Sequence, residues 1–248
     1  MYFQDGYPYI YNLENYQAKR PCPYFSQALP ERGWIAPTQG VIYTSARQTY
    51  SYVRLLNASP NTQPVDVYAN AAQIASGVAF KGFTEYFQML PGLYNITVFP
   101  AGATGPALLE TQIEIPVRSI MTAAIIGLSP NISIRTYFET VIQIPAGRLY
   151  LRFANLSPDS PEMDLTANGT RLFERVSFGM ATNYTPVAAG AYVFDILQSS
   201  TGARLLYVPN ITLGAGRFYT IYAVGQIAGV APLEVLIPLD GNSYIQVG

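Results

Sequence analysis

Short apolar runs separated by turn residues dominate the chain from residue 49 onward. The segments that begin at Tyr94 and Tyr192 alternate apolar and polar residues with a period of two, which is typical of half-buried strands. The stretches 120–126 and 218–224 are almost continuously apolar, so they predict strands buried on both faces or within a sandwich core. Turn signals recur roughly every ten residues, as in a β-sandwich. We therefore predict an all-β protein without a long helix.

This pattern occurs twice along the chain as an internal repeat. Residues 52–99 recur as residues 150–197 at a constant offset of 98 positions and without a gap. The recurring residues are mainly apolar and turn residues rather than reactive side chains. A repeat of this length is a duplicated small domain and not a short solenoid unit. The sequence predicts two β-sandwich domains, residues 49–146 and residues 147–248.

Several turns and one further strand are predicted inside these domains. Asn168-Gly169 separates two strand patterns, and Asn70-Ala71 stands at the matching place in the first repeat. Asn-Gly is the strongest short hairpin signal, because a type I′ turn needs positive φ at both central positions. The stretch 233–237 predicts one more edge strand, which Pro238 ends. The Asn-x-Ser-Pro segments at 57–60 and 155–158 are read as turns, with a polar binding loop as the alternative.

Residues 1–48 differ from the rest of the chain. Six tyrosines fall within the first 24 residues and alternate with prolines, which are incompatible with a helix or a central strand. The aromatic content is too high for an ordinary disordered linker. We predict an extended arm that docks on its own domains or on a neighbouring subunit, through Tyr2, Phe3, Tyr7, Tyr9, Tyr11, Tyr16, Tyr24 and Phe25.

Cys22 is the single cysteine of the chain and lies in the arm between two prolines. It cannot form a disulfide within the chain, so it is a candidate intersubunit thiol. A disulfide would require two arms to meet at Cys22, whereas a head-to-tail fibre points each arm at a different neighbour. We expect non-covalent assembly with Cys22 free.

The composition of the chain excludes several classes of function. Only 12% of the residues are charged, the net charge is −1, and histidine is absent. Without a basic surface we expect no nucleic-acid partner, and no stretch is apolar enough to predict a membrane span. The lack of histidine removes the commonest general base and metal ligand, and no phosphate loop, metal spacing or nucleophile elbow occurs. We predict no enzyme activity, no cofactor and no bound metal. No signal peptide is visible.

Asp66 and Asp164 are the most conspicuous acidic residues, because each stands between apolar residues in a predicted strand. A buried carboxylate is costly unless it is paired. We predict structural pairs of Asp66 with Arg54 and of Asp164 with Arg152, with a ligand or metal contact as the alternative. Glu139 has no counterpart in the second repeat at the offset of 98.

The opening Arg-x-x-Asn-x-Ser-Pro, the strand around Asp66 or Asp164 and the later Gly-x-Tyr occur in register in both repeats. They resemble the 4397 type of bacterial domain of unknown function, which occurs in tandem in surface and secreted proteins. The resemblance covers residues 52–128 and 150–226. It implies immunoglobulin-like or transthyretin-like β-sandwiches outside the cytoplasm, and it implies no activity. The Tyr/Pro-rich arm is not part of this resemblance.

Two functions fit the sequence. The first is a structural, self-assembling surface protein, a fibre, appendage or coat subunit of a cell or spore, whose arm joins copies by strand addition or docking. The second is a monomeric extracellular adhesin or pair of carbohydrate-binding modules, since exposed tyrosines can line a sugar-binding face. The clustering of tyrosines in the arm favours the first, with copies of itself as the partner.

Overall fold

The computed structural model describes residues 11–12, 49–103 and 105–247. Within these residues the regular structure consists of strands and a single 3-10 turn, Gly241–Ser243, so the prediction of an all-β fold without a long helix is confirmed. The strands of the first sandwich end at Phe138 and those of the second begin at Arg148. The predicted boundary between residues 146 and 147 falls in the segment that joins them.

The first sandwich contains two four-stranded sheets. Its strands are β2 (Ser51–Asn57), β3 (Val65–Ala69), β4 (Ala72–Val78), β5 (Phe87–Met89), β6 (Gly92–Pro100), β7 (Leu109–Ile115), β8 (Ile120–Leu128) and β9 (Asn131–Phe138). One sheet has the order β5-β2-β8-β9, and we call it the first inner sheet; the other has the order β4-β3-β6-β7. Strands β2 and β8 are parallel, and the other neighbours are antiparallel.

The second sandwich repeats this arrangement. Its strands are β10 (Arg148–Asn155), β11 (Met163–Ala167), β12 (Thr170–Val176), β13 (Thr185–Ala188), β14 (Gly190–Gln198), β15 (Arg204–Leu213), β16 (Phe218–Val224) and β17 (Glu234–Ile237). The second inner sheet has the order β13-β10-β16-β17, and the outer sheet has the order β12-β11-β14-β15. A short strand of the arm, β1 (Tyr11–Asn12), adds to the free side of β17. The strand predicted at 233–237 is therefore present as β17, but it is not an edge strand, because β1 lies on its outer side.

The two central strands of each inner sheet, β2 with β8 and β10 with β16, are buried on both faces. In β8, Met121 and Ala123 point into the core of the first sandwich, whereas Thr122 and Ala124 point out of it and are still buried. All seven residues of β16 are buried in the same way. The two faces are covered by different partners, because the outward faces of the two inner sheets pack against each other. This confirms the prediction that 120–126 and 218–224 form strands buried on both sides.

The predicted hairpin turns are present. Asn70 and Ala71 have φ values of 47° and 67°, and Asn168 and Gly169 have values of 49° and 77°. Positive φ at both central residues is the requirement of a type I′ turn. The Asn70 side chain also accepts a hydrogen bond from the Asn95 amide across the sheet, at 2.9 Å.

The Asn-x-Ser-Pro segments are structural turns. The Asn57 side-chain oxygen accepts from the Ser59 amide at 3.1 Å, and its nitrogen donates to the Val78 carbonyl at 3.0 Å. Asn155 makes the same two bonds in the second sandwich. Both asparagines are completely buried, so the side chain ties the end of one inner strand to the end of an outer strand. The interpretation as turn chemistry is confirmed.

We expect Asn57→Ala to lower the free energy of unfolding by about 1–3 kcal/mol, because the Ser59 amide and the Val78 carbonyl would remain buried without a partner. Urea denaturation of both proteins measures the difference. Asn61→Ala is the matched control: this asparagine bonds the backbone of Ser129, but its side chain is exposed and water can replace it. An equal loss in both variants would contradict the interpretation.

Candidate functional site

The contact between the two inner sheets is the largest feature that the repeat alone does not explain. Its centre is apolar and includes Leu56, Ala58, Ala124, Ile126, Tyr137, Ala154, Leu156, Tyr222, Val224 and Leu236. The Tyr222 ring lies 5.9 Å from the Phe83 ring and 6.3 Å from the Tyr137 ring, both of the first sandwich. The Tyr137 hydroxyl donates to the Gly179 carbonyl of the second sandwich at 3.0 Å. The two sandwiches therefore share a third core.

Arg54 stands at one end of this core and crosses from the first sandwich to the second. Its Nη2 lies 2.7 Å from Asp240 Oδ1, and its Nη1 donates to the Leu239 carbonyl at 3.1 Å. Its Nε donates to Thr122 Oγ1 at 2.8 Å, on the neighbouring strand β8. The guanidinium is thus held by its own sheet and by the segment that follows β17. Both Arg54 and Asp240 are buried, so this is an ion pair without access to water.

Arg152 makes the reciprocal contacts from the second sandwich. Its Nε donates to Thr220 Oγ1 at 2.7 Å, and its Nη1 donates to the Phe138 carbonyl of the first sandwich at 2.6 Å. Its guanidinium stacks over the Tyr184 ring at 4.5 Å from the centroid. The matching contacts of Arg54 and Arg152 indicate an approximate twofold relation between the sandwiches.

Glu139 is the second buried acid at this contact. We call Arg54, Asp240, Glu139 and Arg152 the interdomain cluster. Its Oε1 accepts hydrogen bonds from the Tyr86 hydroxyl at 2.5 Å and from Thr122 Oγ1 at 2.9 Å. Its Oε2 accepts from the Gly241 amide at 2.7 Å, and the Arg54 Nη2 lies 3.7 Å from Oε1. Burial raises the pKa of Glu139, and the negative charge of Asp240 raises it further, against the opposing effect of Arg54. The chain after β17 is therefore fixed to the first sandwich through a carboxyl with a perturbed pKa.

The predicted pairs of Arg54 with Asp66 and of Arg152 with Asp164 are wrong. The arginines lie on the inner sheets, whereas the aspartates lie on β3 and β11 of the outer sheets, so the strands are not neighbours. Asp66 instead accepts from the amides of Gly77 and Gly102. The Gly102 bond, followed by the Gly77 bond, lowers the pKa of Asp66.

Asp164 is held in the matching way. It accepts from the Arg175 amide at 2.8 Å and from Ser199 Oγ, and Arg171 Nε lies 3.3 Å from its Oδ2. Both aspartates therefore tie their strand to the neighbouring strand on one side, β4 or β12, and to the turn that follows the neighbouring strand on the other side, β6 or β14. Their partners are backbone amides and, for Asp164, also a hydroxyl and a half-exposed arginine.

Glu139 and Asp240 are the residues that the sequence prediction missed. They are equivalent in the structure: each follows an inner strand, accepts from a threonine of the neighbouring strand and accepts from a tyrosine hydroxyl. They are 101 positions apart instead of 98, because the chain from Tyr222 on β16 to its partner Leu236 on β17 is three residues longer than the chain from Ala124 on β8 to its partner Arg135 on β9. An alignment that allowed this gap would have paired them.

The arm meets the second sandwich at one place within the described residues. Tyr11 and Asn12 pair with Leu236 and Ile237 in parallel, and β17 thereby acquires a neighbour on each side. Tyr11 is the one predicted arm contact that falls inside the described residues. The other predicted contacts, Tyr2, Phe3, Tyr7, Tyr9, Tyr16, Tyr24 and Phe25, lie outside them, as does Cys22.

The interdomain cluster is suited to holding two domains together. Glu139 and Asp240 receive hydrogen bonds from several directions and are buried. Among the described residues, no group of three or more acidic, cysteine or histidine side chains is placed to hold a metal ion. Helices long and apolar enough to cross a membrane are likewise not found in the described part of the chain.

We expect Arg54→Met to lower the free energy of unfolding by about 3–5 kcal/mol, because Asp240 and Glu139 would remain buried without their cation. Chemical denaturation at neutral pH measures the loss. Arg204→Met is the matched control: Arg204 pairs with Asp195 at 3.4 Å, but its side chain is 60% exposed, so the loss should stay below about 1 kcal/mol. Similar losses in both variants would mean that the buried cluster contributes no more than a surface pair.

The raised pKa of Glu139 predicts a pH dependence. A carboxyl with a higher pKa in the folded than in the unfolded state takes up a proton on folding. Its contribution to the free energy of unfolding therefore falls as the pH rises from its unfolded pKa through its folded pKa. We expect the difference in stability between Glu139→Gln and the wild type to change across this window. Urea denaturation from pH 4 to pH 8 measures it, with the exposed Glu114→Gln as control; parallel pH profiles for Glu139→Gln and wild type would contradict the prediction.

Comparison with solved structures gives distant neighbours. A structure titled "The Bacillus anthracis TIE protein" aligns with 12% identity and a TM-score of 0.23 over 72% of this chain, and this chain spans 34% of that one. "Alpha-glucan binding by a streptococcal virulence factor" aligns with 12% identity and a TM-score of 0.25 over 79% of this chain and 99% of that one. The CBM26 domain of Eubacterium rectale Amy13K in complex with maltoheptaose aligns with 8% identity and a TM-score of 0.23, over 75% and 96% of the two chains. At these TM-scores the neighbours carry no argument about this chain.

Sequence comparison is more informative. No curated protein matches the chain. A family described as "Domain of unknown function (DUF4397)" matches twice in tandem, over residues 51–166 and 149–246. These two matches span both sandwiches and leave the Tyr/Pro-rich arm outside. The resemblance inferred from the repeated motifs is thereby confirmed, and the chain belongs to the DUF4397 family.

Proposed function

We propose that the protein is a structural, non-enzymatic subunit of a surface assembly whose N-terminal arm joins copies by adding a strand to an open sheet edge. The single observation that carries the proposal is the parallel pairing of Tyr11–Asn12 with Leu236–Ile237. Main-chain pairing at a sheet edge is a common way for one extended segment to bind a folded domain. A fibre, appendage or coat on a cell or spore is the proposed setting.

The way in which the arm is held supports exchange between copies. A chain of 36 residues, 13–48, separates the paired segment from the start of the first sandwich at Thr49. A segment on such a long connection can leave its own domain and occupy the identical place in another copy, as in domain swapping. The bonds made are then the same as those lost, so the free energy of exchange is small apart from the entropy of association.

The rest of the molecule is suited to a building block. The shared interdomain core and the buried Arg54–Asp240 pair join the two sandwiches. With 12% charged residues and a net charge of −1, copies repel one another weakly. Because the two sandwiches are joined in this way, a contact made by one sandwich has a fixed position relative to a contact made by the other. A monomeric adhesin or carbohydrate-binding module remains the competing function, and the experiment below separates the two.

We expect Tyr11→Pro to abolish or strongly reduce assembly, because proline removes a backbone donor from the added strand. Deletion of residues 1–40 should have the same effect and leave a cooperative thermal transition. Negative-stain microscopy and light scattering of the purified full-length protein measure assembly. Gln17→Pro is the matched control, since it places the same substitution in the arm outside β1.

Two results would overturn the proposal. If the deletion variant assembles as well as the full chain, the arm is not the connector. If the full chain is monodisperse at all concentrations and the particles bind a glucan column, the competing binding function is correct. Electrophoresis without reductant adds an independent check: a dominant dimer band would show that two arms meet at Cys22, and the fibre geometry would be wrong.

A further inference from the structure

Strand β9 forms one edge of the first inner sheet and is unusually well suited to accept another strand. It pairs with β8 over eight consecutive residues, from Met121–Phe138 to Leu128–Asn131, without a shift in register. The Glu139 amide donates to the Ile120 carbonyl on β8, and the direction of the amides alternates along a strand. The amides of Ile132, Ile134, Thr136 and Phe138 therefore point away from β8. Among the described residues no strand pairs with this side.

The other sheet edges in the described residues are blocked by familiar devices. Strand β5 has only three residues, and β13 and β15 contain Pro186 and Pro209. Strands β4 and β12 have shifted registers against their neighbours, and β7 carries Glu110 and Glu114. Short length, proline, bulges and charge are the means by which proteins prevent edge pairing. Strand β9 has no proline and a single charged residue, Arg135, and its last residue, Phe138, is 45% exposed.

The internal repeat indicates what this edge accepts. Ala124 and Tyr222 are equivalent at the offset of 98, and they pair with Arg135 on β9 and with Leu236 on β17. Strand β9 therefore holds the same place in its sheet as β17 does in the other. Leu236 is also the partner of Tyr11 in the arm. The second inner sheet thus has an added strand at the position where the first inner sheet ends.

We propose that the outer edge of β9 is the acceptor for the N-terminal arm of a second copy, which adds in parallel through the segment around Tyr11–Asn12. The proposal rests on the proposed function in which the arm joins copies. The occupant is a second copy because the chain's own Tyr11–Asn12 segment already lies on β17. Transfer of an arm from the β17 edge of its own chain to the β9 edge of another would create a head-to-tail contact that does not close.

The lengths of the two edges favour this transfer. Strand β17 has four residues, and Pro238 follows at once, so few main-chain bonds are available to an added strand. Strand β9 is twice as long and offers the outward amides of Ile132, Ile134 and Thr136, while the Phe138 carbonyl at its end already accepts from Arg152. An arm that moves to β9 can therefore form a longer ladder than the one it leaves.

Hydrogen exchange with a synthetic peptide of residues 5–20 tests the proposal on the full-length protein. The peptide contains the Tyr11–Asn12 segment and lacks Cys22. At about ten times its Kd, it should slow exchange of the outward amides of Ile132, Ile134 and Thr136 roughly tenfold, the factor that mass action gives. A peptide with Tyr11→Pro should lose this effect, and one with Gln17→Pro should keep it. In the protein, Thr136→Pro removes one outward amide and should weaken protection of β9 but not of β17.

The outcomes separate this inference from the proposed function. Protection of 131–138 that depends on Tyr11 of the peptide supports the inference. Protection confined to 234–237 would overturn it and leave arm exchange at β17 intact. Strong protection of the outward Ile132, Ile134 and Thr136 amides in dilute protein without peptide would assign the edge to the chain's own arm and also overturn it. Absence of any response at both edges, together with assembly of the chain lacking residues 1–40, would overturn both. If Thr136→Pro does not fold, the two peptide variants decide alone.

Discussion

The structure depends on the packing of the two inner sheets against each other. Because this contact covers the outward faces of β2, β8, β10 and β16, residues that would face water in an isolated sandwich are apolar or hydrogen-bonded, although Arg152 Nη2 and the Tyr222 hydroxyl have no partner. Burial of this face places Arg54 and Arg152 away from water, and each then needs hydrogen-bond acceptors from the opposite domain. The segment after β17 supplies Leu239 and Asp240 for one arginine, and the end of β9 supplies Phe138 for the other. The need of Arg54 and Arg152 for acceptors therefore accounts for the position of the segment after β17 and of the end of β9 at this interface.

The apolar core and the charged cluster contribute differently to this contact. Removal of apolar area from water supplies the favourable free energy of packing. A buried ion pair gains little net stability, because desolvation of both charges offsets their attraction, but a single unpaired charge is strongly destabilising. The Arg54–Asp240 pair therefore penalises every other arrangement of the two sandwiches more than it stabilises the observed one. Its effect is to fix the orientation, and thereby the relative position of the two equivalent edges β9 and β17.

Most of the fold could be predicted from the sequence because its determinants are local. Period-two alternation, the turn at Asn168-Gly169 and the constant spacing of the repeats each act within one sandwich. The partners of Arg54 could not be predicted in this way. Asp240 lies 186 positions further along the chain and reaches Arg54 only after two domains have docked. Its equivalence to Glu139 is hidden by three additional residues in the second repeat. Nothing in the strand pattern indicated that Asp66 would find backbone amides, because Gly77 lies at a register shift of β4 and Gly102 lies in the turn after β6, and neither feature is visible in the strand pattern.

Duplication of a domain creates pairs of equivalent edges, and a polymer needs them to become unequal. Two identical acceptor edges on a near-twofold molecule would favour closed, symmetric contacts over an open fibre. In this chain the two positions have diverged: β17 is short, ends before Pro238 and carries the arm, whereas β9 is long and regular. The arm is attached at one end of the duplicated unit only, which gives the molecule a donor that its internal symmetry does not repeat. In the assembly proposed above, the arm would be the exchangeable donor and β9 and β17 the unequal acceptors, and the buried interdomain contact would keep these two edges at a fixed distance in every copy.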